Sequence, residues 1–319
     1  MEKIPDLAPP GEARREQKAC GDVLPESYET ADHELIVVTG SSGTIGRELV
    51  RLLSAAGAAV RAVSRDIANA QQLPHVDPFR ADLRDAQQVE AALVGASSVF
   101  LLTGNDPGFA GLQTTVIDAA ARAGVAHLVK LSALGASDHS RSAIGRDHWE
   151  VEQALQRTAL PWTILRPHAF MQNWLGDVAG SVRTENTIYA PIGEGRVPFI
   201  DTRDIAAVGA EVLLHGQRHI GKKYILTGGE AVGYADLARV LTEVTGRTIV
   251  YRPITLDEAR SQLARRGVDA AVIEASLAIA AYQRDGGPTA RVSPTVQILL
   301  GRPPRTIMDF ARDHAAAFR

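Results

Sequence analysis

A glycine loop is the segment of this sequence with the clearest chemical meaning, and its glycines stand three residues apart at Gly40, Gly43 and Gly46. The loop directly follows the apolar run Leu35–Thr39 and opens a stretch with helical periodicity. The first glycine permits a tight turn, the second lets backbone amides approach a pyrophosphate, and the third lets the helix pack closely. The helix N-terminus favours anionic phosphates, so we predict a dinucleotide-binding loop. The other predicted contacts in this loop are Ser42, Thr44 and Ile45.

The end of the second predicted strand indicates which dinucleotide binds. Sites for NAD usually place an acid there to hold the ribose hydroxyls, but this strand ends in Ser64 and Arg65. A guanidinium pairs well with a 2′-phosphate, and Ser64 can donate a further hydrogen bond. Asp66 follows at once and favours the opposite choice, and a solvated surface charge is the alternative interpretation of Arg65. We predict NADP(H) as the cofactor.

Alternating strand and helix patterns place this loop in a larger sheet. Apolar, β-branched runs predict strands at Leu35–Thr39, Ala59–Val63, Val99–Thr103, His127–Ser132 and Trp162–Arg166. Helical periodicity separates them, including one helix that Asp85 can cap and another over Asp147–Thr158. Parallel strands joined by right-handed helical crossovers form a doubly wound sheet. The ends of the third and fourth strands, at Thr103, Gly104 and Ser132, are then expected to flank the nicotinamide half of the cofactor.

The alternation weakens beyond Pro167, which divides the chain. Short strands are expected at Thr187–Ala190, Pro198–Ile200 and Tyr224–Thr227, and the remainder is mostly helical. We predict an α/β fold, in which a doubly wound parallel Rossmann sheet carries a smaller mixed, mostly helical C-terminal lobe over the carboxyl ends of its strands. The predicted units are a disordered extension at 1–33, an NADP-binding Rossmann domain at 34–167, and a substrate-binding lobe at 168–319 with return strands to the sheet.

Composition and charge exclude several classes of protein. Of the 319 residues, 45% are hydrophobic and 22% charged, which is ordinary for a globular protein with a sizeable core. A formal net charge of −3 indicates no binding to nucleic acid or to an anionic membrane, and no apolar stretch approaches the ~18 residues of a membrane span. The single Cys20 excludes an intramolecular disulfide, and the N-terminus lacks an apolar signal region. A reducing cytoplasm is therefore the expected location, while no motif indicates an oligomeric state.

Longer segments of the chain resemble a known family. The glycine spacing is typical of extended and atypical short-chain dehydrogenases/reductases, and the later segments resemble the NmrA-like, NAD(P)H-binding atypical branch. The resembling segments are Val129–Gly135, His148–Glu152, Pro161–Asn173, Val197–Ala206 and Tyr224–Gly228. That family includes type-2 quinone oxidoreductases, azo- and triphenylmethane-dye reductases, and NADP-sensing regulators. The resemblance implies an NAD(P)H-dependent oxidoreductase, and it places Asp82 and Leu83 near the adenine.

One departure from the superfamily changes the expected chemistry. A typical short-chain dehydrogenase uses a Tyr-x-x-x-Lys pair, in which the phenol passes a proton and the lysine lowers its pKa. Ile144 and His148 stand at those positions here, although Ser132 remains. The resemblance to quinone reductases implies that His148 contacts the nicotinamide ribose or the substrate, with packing as the alternative. We predict His148 and Ser132 as catalytic and cofactor-binding residues. No histidine shows metal-ligand spacing, so no metal site is expected.

The missing tyrosine limits the acceptors that this site can reduce. A quinone, an azo group or an enone gives an anion that water can protonate, whereas the alkoxide from a simple ketone needs a proton donor. The expected partner is therefore an aromatic or conjugated small molecule. Its predicted contacts lie just beyond the strand that ends at Pro167, where apolar and amide groups could face a planar ring, with core packing as the alternative for Met171 and Trp174. These residues are His168, Phe170, Met171, Asn173 and Trp174.

Two further functions stay open on the sequence alone. The chain could be a non-catalytic sensor that reports NADP(H) occupancy to a protein partner. It could also be a natural-product tailoring enzyme that carries out a ketoreduction, an isomerisation or a cyclisation. We rank the reductase first.

Overall fold

A seven-stranded, wholly parallel sheet forms the centre of the computed structural model, which describes residues 34–68 and 70–319. The predicted extension at 1–33, including Cys20, lies outside the described residues. The strands occur in the order β3-β2-β1-β4-β5-β6-β8, the doubly wound arrangement of a Rossmann fold. They are β1 (Leu35–Thr39), β2 (Val60–Ser64), β3 (Val76–Arg80), β4 (Ala96–Leu101), β5 (His127–Leu131), β6 (Trp162–Pro167) and β8 (Lys222–Leu226). A separate parallel pair joins β7 (Thr187–Ala190) to β9 (Val250–Pro253).

Helices cover both faces of this sheet, because its strands are apolar on both sides. Helices α1 and α6 bury one face, and α2, α3 and α4 bury the other. The helices are α1 (Thr44–Ala55), α2 (Ala86–Leu93), α3 (Phe109–Arg122), α4 (Ala143–Gln156), α5 (Asp177–Glu185), α6 (Thr202–Leu214), α7 (Tyr234–Thr245), α8 (Leu256–Arg265), α9 (Ala270–Arg284), α10 (Thr295–Leu300), α11 (Ile307–Asp313) and α12 (Ala315–Phe318). Short 3-10 helices span Met171–Leu175, Gly216–Arg218 and Gly287–Ala290.

The predicted α/β class with a doubly wound parallel sheet is confirmed, with two local differences. The sequence analysis did not predict β3, because Pro78 interrupts its apolar character; proline is tolerated there since β3 lies at the edge of the sheet. The strand expected at Pro198–Ile200 was wrong. Val197 and Ile200 form only isolated bridges, to Val232 and Phe170 respectively, so this segment crosses between elements without a continuous ladder.

The C-terminal half contributes both to the sheet and to a second core. Helix α6 begins at the N-cap Asp201 and packs on α1, and β8 then extends the sheet beside β6. The second core lies among α5, α7, α11 and α12, where the indole of Trp174 contacts the rings of Phe199 and Phe310. This second core fixes the segment that follows β6 at the carboxyl end of the sheet.

Candidate functional site

The glycine loop joins β1 to α1 at the carboxyl edge of the sheet. Gly40 has a φ of +62°, and a Cβ there would lie 2.7 Å from the carbonyl oxygen of Leu102. A Cβ on Gly46 would lie 2.2 Å from the carbonyl oxygen of Gly40, so both positions require glycine. The amide of Gly43 donates to that same oxygen at 3.0 Å and closes the turn. A Cβ on Gly43 would lie 3.4 Å from that oxygen, so packing within the loop does not by itself require glycine at this position. The absence of a side chain at Gly43 instead leaves the exposed face of the loop open.

The other predicted loop residues divide into exposed and buried groups. Ser42 and Thr44 are exposed at the mouth of the loop, where Thr44 begins α1. Ile45 is 5% exposed and packs into the sheet core, so only its backbone is available to a ligand. The free amides at the start of α1 and its N-terminal dipole therefore provide the polar groups of this loop.

A cavity of about 220 Å³ lies between this loop and the end of β2. Its walls include Ser42, Arg47, Ser64 and Asp66, whereas Arg65 is exposed and is not among its lining residues. Arg47 was not among the residues predicted from the sequence. The sequence did indicate it, because it is a cation directly after the third glycine, in the first turn of α1. Its Nε donates to the carbonyl oxygen of Ser42 at 3.2 Å.

Hydrogen bonds within the turn after β2 fix the groups at this cavity. The hydroxyl of Ser64 donates to the carbonyl oxygen of Asp66 at 2.7 Å, and the Asp66 carboxylate accepts the amide of Ala68 at 2.8 Å. The cavity wall therefore combines one guanidinium, from Arg47, with one carboxylate. A ribose hydroxyl would bind the carboxylate and a 2′-phosphate would bind the guanidinium.

The predicted contacts on β3 and β4 lie along the same edge of the sheet. The amide of Ala81 donates to the carbonyl oxygen of Ser64, which brings Asp82 beside the end of β2. The Asp82 carboxylate accepts the amide of Arg84 at 3.0 Å, while Leu83 packs against the core beneath α2. After β4, the hydroxyl of Thr103 accepts a hydrogen bond from Gln113, and Gly104 is exposed.

A buried ionic network holds Ser132 at the end of β5. The hydroxyl of Ser132 donates to Glu152 of α4 at 2.5 Å, and Arg166 of β6 binds both oxygens of that carboxylate at 2.8 and 2.6 Å. Lys223 of β8 lies 3.5 Å from the same carboxylate. Burial by itself raises the pKa of Glu152, but its hydrogen bonds from Arg166 and Ser132 hold that pKa below its usual value. The proton of Ser132 is thus committed to a charged carboxylate.

His148 lies on the same face of α4, one turn before Glu152, beside a second buried cation. Nζ of Lys130 on β5 is 3.1 Å from Nδ1 of His148, and the imidazole packs against the ring of Phe109 with centroids 4.8 Å apart. Burial and, to a smaller extent, the charges of Lys130 and Arg166 together lower the pKa of His148 to about 2. The imidazole is therefore neutral at physiological pH.

Sequence analysis did not assign roles to Lys130, Glu152 or Arg166. Each had a signal: Lys130 and Arg166 are single cations within otherwise apolar strands, and Glu152 stands one helical turn after His148. A charge inside a buried strand requires a partner, because an unpaired buried ion is strongly unfavourable. The sequence could not identify the partner, because it lies on a different element.

The predicted substrate residues occupy different environments. The two ring nitrogens of His168 bond to the carbonyl oxygen of Thr289 at 3.0 Å and to the amide of Ala169 at 2.7 Å, so this side chain holds its own loop. Met171 and Trp174 are each 1% exposed in the second core, where packing accounts for both. Phe170 is half-buried and Asn173 is exposed, so these two retain surface for a ligand.

The described residues contain neither a metal-binding cluster nor a helix that could span a membrane. No group of three or more His, Cys, Asp or Glu side chains within 34–68 and 70–319 is arranged to hold a metal ion. None of the helices in that part of the chain combines the length and the apolar character that a bilayer span needs.

The chain is similar to known reductases and oxidoreductases over most of its length. An NAD(P)H azoreductase of Xenophilus azovorans is 37% identical over 286 residues, which cover 89% of this chain and 99% of the relative. A (4-alkanoyl-5-oxo-2,5-dihydrofuran-3-yl)methyl phosphate reductase of Streptomyces griseus is 36% identical, with the same coverage of both chains. The crystal structure of an NADPH-dependent quinone oxidoreductase from Escherichia coli, complexed with NADPH, superposes with a TM-score of 0.79 at 25% identity and covers 88% of this chain and 99% of that chain.

The family model described as NmrA-like family matches residues 32–297, a span that includes the whole sheet and ends before α11 and α12. The glycine loop, the Ser132 network and the segment after β6 all fall within it. The chain belongs to the NmrA-like family.

Proposed function

We propose that this protein is an NADPH-dependent oxidoreductase that transfers a hydride to a quinone-like or conjugated carbonyl acceptor. The observation that carries the proposal is the glycine loop at the carboxyl edge of β1, where Gly40 and Gly46 leave no room for a side chain. The similarity to an azoreductase, to a dihydrofuranone phosphate reductase and to a quinone oxidoreductase supports the same class of reaction. NADPH, when bound, supplies two electrons as a hydride.

The residues along the sheet edge fit such a cofactor. The loop amides and the start of α1 would hold the pyrophosphate, because they offer unpaired donors and a positive dipole end. Arg47 and Ser42 would hold the 2′-phosphate of the adenosine in the cavity of about 220 Å³. Ser64, predicted as a further donor, instead donates its hydroxyl proton to the carbonyl oxygen of Asp66. The nicotinamide end would lie beyond β4 and β5, beside Thr103, Ser132 and His148, since ligands of parallel sheets bind at the carboxyl ends of the strands.

The polar groups at that end restrict the acceptor. No phenol stands four residues before His148, and the Ser132 proton is already committed to Glu152. Ser132 can therefore accept a hydrogen bond but is a poor proton donor. Acceptors whose reduced anion is stabilised by conjugation suit this site best, and aliphatic ketones suit it least. Phe170 and Asn173 offer an aromatic surface and an amide for a planar acceptor.

The test is a stopped-flow assay of NADPH oxidation by the full chain against a quinone, an azo dye, an enone and an aliphatic ketone. We expect turnover with at least one conjugated acceptor and a much lower rate with the ketone, whose alkoxide is not stabilised by conjugation. Tight NADPH binding without turnover for any of the conjugated acceptors would contradict the reductase and favour the sensor. A rate with the aliphatic ketone equal to the rate with the conjugated acceptors would contradict the restriction on the acceptor.

A further inference from the structure

Lys130 is fully buried in the sheet, and nothing in its packing requires a charged side chain at this position. It is 0% exposed, and its register partners are Leu101 on β4 and Ile164 on β6, both apolar. A methionine or leucine would fill this place in the sheet without the cost of burying an amine. Nζ instead donates to the carbonyl oxygen of Leu131 at 3.2 Å and lies 3.1 Å from Nδ1 of His148. A buried titratable group directed at a candidate catalytic residue indicates a function.

This contact determines which nitrogen of His148 carries the proton. An ammonium can only donate, so Nδ1 must accept and the ring proton resides on Nε2. Within the described residues, Nδ1 has Lys130 as its hydrogen-bond partner and Nε2 has none, so Nε2–H is available to a ligand. The neutral ring cannot give up that proton alone, because an imidazolate would result. It can do so only if Nδ1 gains a proton in the same step.

We propose that Lys130 and His148 form a proton relay that protonates the reduced acceptor, an inference that rests on the proposed function. After the acceptor has gained a hydride, it is an anion. The Nε2–H bond of His148 then breaks as a bond forms from that proton to the anionic oxygen, nitrogen or carbon. An N–H bond of the Lys130 ammonium breaks as one forms at Nδ1. The imidazole stays neutral with its proton now on Nδ1, and Lys130 is left as an amine. After the product leaves, Nε2 takes a proton from the solvent as the Nδ1 proton returns to Lys130, which restores both groups.

The electrostatics around Lys130 suit an acid that works near neutrality. The pKa of Lys130 is lowered to about 7, and burial is the largest cause. The charge of Glu152 on α4 opposes this shift, and the charge of Arg166 on β6 adds to it. Lys223 of β8 also faces Glu152, and His148 itself is neutral. The relay is therefore charged with a proton below about pH 7 and loses it as the pH rises through that value.

The relay should increase the rate of reduction more for some acceptors than for others. Water can protonate either anion, but a hydroquinone anion is a weak base and gains little from a nearby donor. The enolate from an enone or lactone is a stronger base, so hydride transfer that forms it is helped more by a donor beside the acceptor. Loss of the relay should therefore slow enone reduction much more than quinone reduction. A purely structural lysine would affect both acceptors equally.

The first experiment measures single-turnover NADPH oxidation by Lys130→Met, with an enone and with a quinone. We expect a fall of about 10²–10⁴-fold for the enone and less than about tenfold for the quinone, with NADPH affinity by calorimetry retained. Lys222→Met is the matched control, because Lys222 is an exposed lysine on β8, and it should change neither rate. Equal losses for both acceptors would overturn the relay. Absence of turnover in the unmodified protein would instead overturn the proposed function.

The second experiment needs no turnover and is decisive even if Lys130→Met does not fold. In the ¹⁵N-histidine-labelled full chain without cofactor, we expect Nε2 of His148 to carry the proton and Nδ1 to carry none at pH 6. Both shifts should respond to a titration with an apparent pKa near 7 that reports Lys130. His148 protonated at Nδ1 at pH 6, or shifts that do not move across neutrality, would overturn the relay.

Discussion

At the scale of single residues, the cavity at the end of β2 has opposite charges in its wall. The cavity wall contains both Arg47 and Asp66, while Arg65 is exposed. A guanidinium favours the 2′-phosphate of NADPH, and a carboxylate favours the free hydroxyl of NADH. The net preference depends on which of the two arginines reaches the phosphate, and position in the cavity favours Arg47.

We predict that Arg47→Ala weakens NADPH binding by about 1.5–3 kcal/mol, the value of a charge-assisted hydrogen bond. NADH binding should change little, because NADH lacks the phosphate. Isothermal titration calorimetry with both dinucleotides measures this difference. Arg65→Ala is the matched control, with a smaller expected loss because its side chain lies outside the cavity. A larger loss in Arg65→Ala than in Arg47→Ala would reverse the assignment and support the residue that the sequence indicated.

At the scale of elements, the loop between β1 and α1 separates binding from folding. Gly43 has ordinary backbone angles, φ −78° and ψ 171°, and the nearest atom to an added Cβ lies at 3.4 Å. Gly46 has no such freedom, because an added Cβ would overlap Gly40 and the backbone of Ser41. The packing of the helix thus requires glycine at position 46, whereas a requirement for glycine at position 43 would come from the proposed ligand.

We predict that Gly43→Val folds normally but loses NADPH binding, because the added methyl groups would occupy the place of the pyrophosphate. Gly46→Val should instead lower the melting temperature of the protein even without ligand, since its Cβ would meet backbone atoms that cannot move aside cheaply. Circular dichroism and calorimetry on the two variants distinguish these effects. A Gly43→Val protein with a native spectrum and undiminished NADPH affinity would contradict the loop assignment.

At the scale of the whole molecule, buried histidines link stability to pH. Burial lowers the pKa of His127 and of His168 to about 4 each, and that of His148 to about 2. In the unfolded chain, histidines protonate near pH 6.5. As the pH falls from about 6.5 towards 4, the unfolded state therefore binds protons that the folded state does not, and the folded state loses stability.

We predict that the free energy of unfolding falls by at least about 1 kcal/mol per pH unit over this window, the value for a single such histidine. Urea titrations at pH 7, 6 and 5 measure the slope. His127→Gln should reduce it, because glutamine can keep a hydrogen bond to the Thr163 hydroxyl, which lies 2.8 Å from Nε2, without titrating. His139→Gln, at a side chain that is 92% exposed, is the matched control. A slope that His127→Gln leaves unchanged would show that His127 does not contribute.

The sequence by itself determined the class of the fold and the place of the glycine loop between β1 and α1. Both depend on local information: apolar runs and helical periods alternate along the chain, and a glycine triplet lies between the first strand and the first helix. It also located Asp85 as an N-cap, since a cap bonds to amides two or three residues away. Edge strand β3 was not predicted, because Pro78 interrupts its apolar run and its pairing with β2 is visible only in the structure.

Only the tertiary structure decided which charges meet. Lys130, Glu152 and Arg166 come from β5, α4 and β6, and nothing in their spacing along the chain predicts that a carboxylate binds Ser132 or that an amine reaches His148. The same holds for Arg47 and Arg65, because only the packing of the elements shows that Arg47 lines the cavity while Arg65 does not. The physical reason is that periodicity reports how each element faces the core, whereas a hydrogen bond between elements depends on how they are packed together.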